Sequence, residues 1–157
     1  MTTTTIGTLA VRRSILVKAA PERVWQEFES FEKLKAWFGR GHRLLEFEPR
    51  VGGGVLLEVE HEGRTLRYGG PVKVLEPPNE LTFENDWIPN TGWLAPTLIT
   101  FRLTPALGGT LVELFHHAIE NVGPGADEAH AGFESGWGTR HLVALKAIVE
   151  GTAGASS

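Results

Sequence analysis

The sequence contains no cysteine, so disulfides and thiolate chemistry are excluded. It also lacks any apolar run approaching the roughly 18 residues that a membrane-spanning helix requires, so no membrane span is expected. The Met-Thr-Thr-Thr-Thr start has neither the charged nor the apolar region of a signal peptide, and the expectation is a cytoplasmic protein. Positive charge is scarce and scattered. Lysine and arginine total 15 against 19 acidic residues, a net charge of -4, and the densest basic clusters are Arg12 with Arg13 and Arg40 with Arg43. That is a poor footprint for nucleic acid, and no nucleic-acid partner is expected. Repeats, low-complexity linkers and shifts of composition are missing too. With 157 residues, 41% of them hydrophobic, the chain is expected to form one domain over residues 8–150, between a flexible N-terminus at 1–7 and a flexible tail at 151–157.

What is present begins with one long helix candidate, from about Ala126 to Glu150. Leu142, Leu145, Ile148 and Val149 recur at the three- and four-residue steps of an amphipathic helix, with Arg140, Lys146 and Glu150 on the wet side. Asp127 is its candidate N-cap. The first half carries Phe133 and Trp137 among Gly132, Gly136 and Gly138, and each helical glycine costs roughly 1 kcal/mol relative to alanine. Two reasons for these glycines remain open: close backbone packing, or a space beneath the helix kept clear for a ligand.

Residues 8–18 read as a strand with Leu9, Val11, Arg13, Ile15 and Val17 in one phase, and Arg13 there favours an edge strand over a polar part of the interior. Pro21 and Glu22 open a short helix carrying Val24, Trp25 and Phe28. A second short turn carries Phe31, Leu34, Trp37 and Phe38 and breaks at Gly39-Arg40-Gly41. From there to about residue 118 short strands alternate with turn signals, the pattern of an antiparallel meander. Gly69-Gly70 interrupts one strand, as a bulge or a close backbone approach. Alternation places Leu81, Phe83, Asn85 and Trp87 on one face, followed by Ile99, Phe101 and Leu103, and then Val112, Leu114 and His116. The connection 88–96 is long for a meander and exposes Trp93, as a rim or lid would.

Familiar chemistries fit poorly. His116 and His117 are adjacent on a strand and point to opposite faces, while His130 and His141 lie about 16 Å apart on a continuous helix at 1.5 Å per residue, so no metal site is expected. Gly132-Phe133-Glu134-Ser135-Gly136 has its serine one position late for a nucleophile elbow and lies within a helix. Gly52-Gly53-Gly54 leads into a strand and lacks the helix N-terminus of a phosphate cradle. No catalytic residue and no cofactor are assigned. What remains is a set of inward aromatics around Asn85 and His116. Either they line a cavity for a small apolar or amphipathic molecule, or they fill a core in which Asn85 and His116 bond each other or the backbone.

The residues Ala20-Pro21-x-x-Val24-Trp25, Trp37-Phe38, Val51-Gly52-Gly53, Gly70-x-Val72, Pro77-Pro78-x-x-Leu81-Thr82-Phe83, Gly109-Thr110, His116 and Gly136-Trp137 occur in an order and spacing that resembles the SRPBCC (START-like) superfamily. Within it the chain is similar to the branch of activator of heat-shock-protein-90 ATPase homologues. The resemblance implies an α+β helix-grip (START/Bet v-like) fold, a curved antiparallel sheet wrapped around a long C-terminal helix, with two short helices after the first strand. It also implies a ligand cavity between helix and sheet, with Trp37, Phe38, Phe83, Asn85, Trp87, Phe101, His116, Phe133 and Trp137 as ligand-binding candidates. The leading expectation is small-molecule binding by a monomer or homodimer. A cyclase- or hydrolase-like enzyme using His116 with Asn85, and a chaperone-interaction module, are the alternatives. One departure stands out. Similar proteins place leucines four and seven residues after the tryptophan, where this chain has His141 and Ala144, with Leu142 and Leu145 one step later. The stripe slips by about 100°, which predicts a π-bulge between Gly136 and His141 or a Trp137 on the helix flank.

Overall fold

The computed structural model describes residues 4–39 and 41–151, so Arg40 and most of the expected flexible ends lie outside the described residues. Thr4, just inside that range, bonds Glu80 through its amide and hydroxyl, and its carbonyl accepts from Arg102 at 2.7 Å.

Seven antiparallel strands form one sheet: β1 (Val11–Val17), β2 (Arg43–Phe47), β3 (Gly54–His61), β4 (Arg64–Glu76), β5 (Glu80–Ile88), β6 (Thr97–Ala106) and β7 (Gly109–His117). Their spatial order is β1-β7-β6-β5-β4-β3-β2, so β1 returns beside the last strand as an edge, as Arg13 suggested. The Gly69-Gly70 pair keeps its register with both neighbours, and the β4 bulge falls instead between Val72 and Val74. The glycines are needed for close approach. A Cβ on Gly69, whose φ is +146°, would collide with the Val55 carbonyl, and one on Gly70 would meet the Glu84 carbonyl at 2.7 Å.

The short helices α1 (Pro21–Trp25) and α2 (Phe31–Lys35) are joined by a 3-10 turn at Gln26–Phe28. Pro21 suits the first turn of α1, and the Ser30 hydroxyl caps α2 by accepting from the Lys33 amide at 3.1 Å. Together they plug one end of the concave sheet face. Phe28, Trp37 and Phe38 surround Phe101 with ring centroids 5.4 to 5.5 Å away, mostly edge to face, and the Trp37 indole donates to the Glu27 carbonyl at 3.0 Å.

The single C-terminal helix expected from the sequence is two helices, α3 (Ala126–Gly136) and α4 (Arg140–Glu150). Trp137 leaves the helix with ψ 121°, although its amide still bonds the Phe133 carbonyl, and the ladder restarts with Val143 on the Thr139 carbonyl. A full break, not a π-bulge, therefore absorbs the slipped stripe. Gly136 and Gly138 weaken the helix on either side, and Arg13 supplies what the broken end needs. Its guanidinium donates to the carbonyls of Glu134 at 2.8 Å and Trp137 at 3.0 Å, and to the Glu134 carboxylate at 3.2 Å. Carbonyls that would be orphans at a helix C-terminus are thus satisfied from β1. Asp127 lies in the first turn of α3 but does not cap it; Gly125 holds that position without a side-chain bond. His130 and His141 consequently sit on different helices. Leu142 and Leu145 of α4 are fully buried against the sheet.

Candidate functional site

The concave face changes character along each strand. On β5, Leu81 and Phe83 enter the packed core, while Asn85 and Trp87, two and four residues on, border open space. The same division holds on β7, where Val112 and Leu114 are core and His116 borders the space, and on β6, where Ile99 borders it and Phe101 does not. That space is a cavity of about 190 Å³ between the sheet, α3, the helix break and the loop after α2. A single water needs about 10–15 Å³ on this measure, so the cavity has room for a small organic molecule.

Of the ligand-facing residues expected from the sequence, Phe38, Asn85, Trp87, His116, Phe133 and Trp137 are brought together around this cavity. Trp37, Phe83 and Phe101 are not. They share the inward phase, but they stand where α1 and α2 descend onto the sheet, and each is fully buried among other rings. Sequence reasoning did not single out His42, Tyr68, Arg140 or His141, and it took Trp93 only as an exposed loop aromatic. All five line the cavity. Tyr68 was detectable in principle, because it pairs with Trp87, which alternation had already turned inward.

The rings form a collar. Centroid separations run 5.5 Å from His42 to Tyr68, 5.6 Å to Trp87, 6.5 Å to Trp93, 6.1 Å to Phe133 and 4.1 Å to His116. They continue 6.1 Å to Trp137, 5.9 Å to His141 and 5.3 Å to Phe38. His42 donates its amide to the carbonyl of Gly39, the residue after Phe38, at 3.0 Å, which brings the two ends of the series together. Gly132, Gly136 and Gly138 border the opening, and a Cβ on any of them would meet nothing within 4 Å. Of the two reasons left open for these glycines, close packing has no contact to support it.

At the cavity floor a directed hydrogen-bond chain fixes every proton. The Trp137 indole, which is only a donor, gives its N–H to His116 Nδ1 at 3.0 Å, so His116 must carry its proton on Nε2. That Nε2–H donates to Thr97 Oγ1 at 2.8 Å, and the Thr97 hydroxyl donates to the Asn85 carbonyl at 2.9 Å. Burial, with His117 adding, pushes the His116 pKa down to about 3, so the ring is neutral. Asn85 turns its side-chain nitrogen toward Thr97 at 3.5 Å and leaves Oδ1 buried without a partner.

Near the mouth, His42 Nδ1 and the Tyr68 hydroxyl share a hydrogen bond. Burial raises the Tyr68 pKa, and burial together with the Arg140 charge lowers that of His42. The described lining contains no aspartate or glutamate, and Arg140, exposed at the first residue of α4, is its single formal charge.

No helix among the described residues is long and apolar enough to cross a membrane. No curated protein matches the sequence. Among solved structures, a protein from Rhodobacter sphaeroides is 26% identical with a TM-score of 0.67, over 94% of this chain and 97% of that one. A protein from Chromobacterium violaceum is 24% identical with a TM-score of 0.65, over 90% and 96% of the two chains. The Aha1 dimer from Colwellia psychrerythraea is 19% identical with a TM-score of 0.53, again over 90% and 96%. Residues 18–150 match the family described as Activator of Hsp90 ATPase homolog 1-like protein, and the chain belongs to that family, within the SRPBCC superfamily of helix-grip folds.

Proposed function

We propose that the protein binds a small apolar or amphipathic molecule in the collared cavity and acts as a carrier or sensor, without catalysing a reaction. The observation that carries this reading is a cavity of about 190 Å³ walled by aromatic rings and bordered by three glycines that touch nothing. The cyclase-like alternative is less well supported. Both nitrogens of His116 are engaged within the protein and the ring resists protonation, which suits a structural strut better than a general acid or base.

The family description gives a second reading, contact with a chaperone ATPase, and the relative from Colwellia is described as a dimer. Neither bears on the cavity. The test is titration with N-phenyl-naphthylamine, a neutral apolar fluorophore, using the natural protein and Gly132→Leu, whose side chain would project over the opening. Micromolar binding that the leucine weakens at least about tenfold is expected. Equal affinity in a folded Gly132→Leu variant would place the probe elsewhere and count against the reading.

A further inference from the structure

Resting on that reading, we infer that α3 is a lid, a helix that swings away from the sheet as a unit about its two glycine-flanked ends and so lets the ligand into and out of the cavity.

The two C-terminal helices are anchored in different ways. α4 sinks Leu142 and Leu145 into the main core, with Ile148 and Val149 packed against it. α3 has the same length of 11 residues but buries only Ala126, its first residue. Its Ala129 and Phe133 rest half-buried on a separate small cluster with Val11, Ile119 and Val122. Helices are held on a domain mainly by packing of an apolar face, so little apolar burial opposes the lifting of α3.

What does hold it down is polar and separable. His130 donates its Nε2–H to the Ala10 carbonyl at 3.0 Å, near the middle of the helix. At the C-terminal end Arg13 grips the carbonyls of Glu134 and Trp137, and the Trp137 indole bonds His116. Both ends can turn. Gly123, with φ +98°, precedes the helix, and Gly125 opens it without a side-chain bond. At the far end Trp137 has left the helical conformation between Gly136 and Gly138, and a Cβ on either glycine would touch nothing. A few such residues at the ends of an element are enough to absorb a hinge motion.

The other walls have no comparable freedom. Tyr68, Asn85, Trp87, Ile99 and His116 project from strands paired across one sheet, so moving them breaks its ladders. The loop that carries Trp93 is tied down by Asn121, which accepts from the Ala95 amide at 3.0 Å and donates to the Pro96 carbonyl at 2.8 Å. The turn after α2 is held by the His42–Tyr68 bond and by the Gly39 amide on His141 Nδ1 at 3.3 Å. Lifting α3 withdraws Phe133 from between Trp93 and His116 and breaches the collar without disturbing the sheet.

Stopped-flow fluorescence with N-phenyl-naphthylamine tests the lid through the rates of probe association and dissociation. His130→Ala and Arg13→Ala each remove a tether of α3, and neither residue lines the cavity. Both variants are expected to speed association and dissociation by the same factor, about three- to tenfold, so that affinity is kept. Val112→Ala, which loosens the packed core on β7 away from the cavity, is expected to leave both rates unchanged. The two tethers act at different points of the helix, so a variant that fails to fold leaves the other to decide. Faster dissociation alone would mean that the tethers shape the cavity wall, and equal acceleration in Val112→Ala would mean that entry requires the whole domain to loosen; either result would overturn the lid. Unchanged rates in both tether variants would overturn it as well and leave cavity binding intact. Absence of probe binding to the natural protein would overturn both.

Discussion

Trp137, at the break between the two C-terminal helices, donates its indole N–H to His116 Nδ1 at the end of β7, and this bond ties the helix break to the polar floor of the cavity. A protonated His116 would point an N–H at the indole N–H, so charging the ring costs both desolvation and a hydrogen bond. Unfolding relieves both. The break, the collar and the neutral histidine are therefore parts of one arrangement, in which Trp137 serves as wall and latch.

The first prediction follows from the depressed pKa of His116. Above pH 6.5 the ring is neutral in the folded and unfolded chain and makes no pH-dependent contribution. As pH falls below 6.5 the unfolded chain takes up a proton that the folded one refuses, so stability declines until the folded ring titrates at about 3. The loss at pH 5 should be about 2 kcal/mol from this residue. His42 and His117, also shifted down by burial, add in the same direction. Urea unfolding at pH 7 and pH 5 checks it. His116→Gln, neutral at both, should lose about 2 kcal/mol less over that interval than the natural protein.

A second prediction separates two kinds of glycine. Gly132 is exposed within α3 with no neighbour near its Cβ position, so Gly132→Ala should stabilise the protein by about 0.5–1 kcal/mol through helix propensity. Gly69 has a positive φ and faces the Val55 carbonyl across the ladder, so Gly69→Ala should cost more than about 3 kcal/mol. Thermal unfolding midpoints should move in opposite directions. A shift of the same sign in both would show that the Gly132 surface is not open.

The third prediction concerns Phe101. Phe28, Trp37 and Phe38 enclose it, and it does not border the cavity. Phe101→Trp should therefore overpack the core and cost about 1–3 kcal/mol, leaving probe affinity of the folded fraction unchanged. Denaturant titration and fluorophore binding on the same sample separate the effects. Reduced affinity at unchanged stability would put Phe101 in the cavity wall.

The inward phase of β5, β6 and β7 was legible because alternation fixes the face of every side chain once one face is dry. Depth along a face was not. Phe83 and Asn85 share a phase on β5, and only the descent of α1 and α2 onto the sheet makes the first core and the second cavity. Period-two logic carries no information about where a separate element lands. His42 follows a glycine break with no periodicity to place it. Arg140 and His141 were hidden for a different reason: a straight helix put Arg140 on the wet side, and the break re-aims α4 so that its N-terminus opens onto the cavity. The slipped stripe did announce that something interrupts the helix. Distinguishing a break from a bulge required knowing that Arg13, a strand residue more than 120 positions earlier, receives the freed carbonyls.

The last prediction tests that role of Arg13. Its guanidinium holds the Glu134 and Trp137 carbonyls and the Glu134 carboxylate, with the side chain largely shielded from water. Arg13→Ala should leave the carbonyls of a helix end without donors and cost about 1–3 kcal/mol. Arg13→Lys should fall between the natural protein and Arg13→Ala, because a single ammonium cannot reproduce a planar fork that reaches the Glu134 and Trp137 carbonyls together. Stability alone would not distinguish a cap from a generic surface contact. Hydrogen exchange does: the Trp137 amide, bonded to the Phe133 carbonyl at the end of α3, should lose protection in Arg13→Ala more than the Leu145 amide within α4. Uniform loss across both helices would mean that Arg13 supports the fold at large, and undiminished protection at Trp137 would mean that the glycines hold the break by themselves.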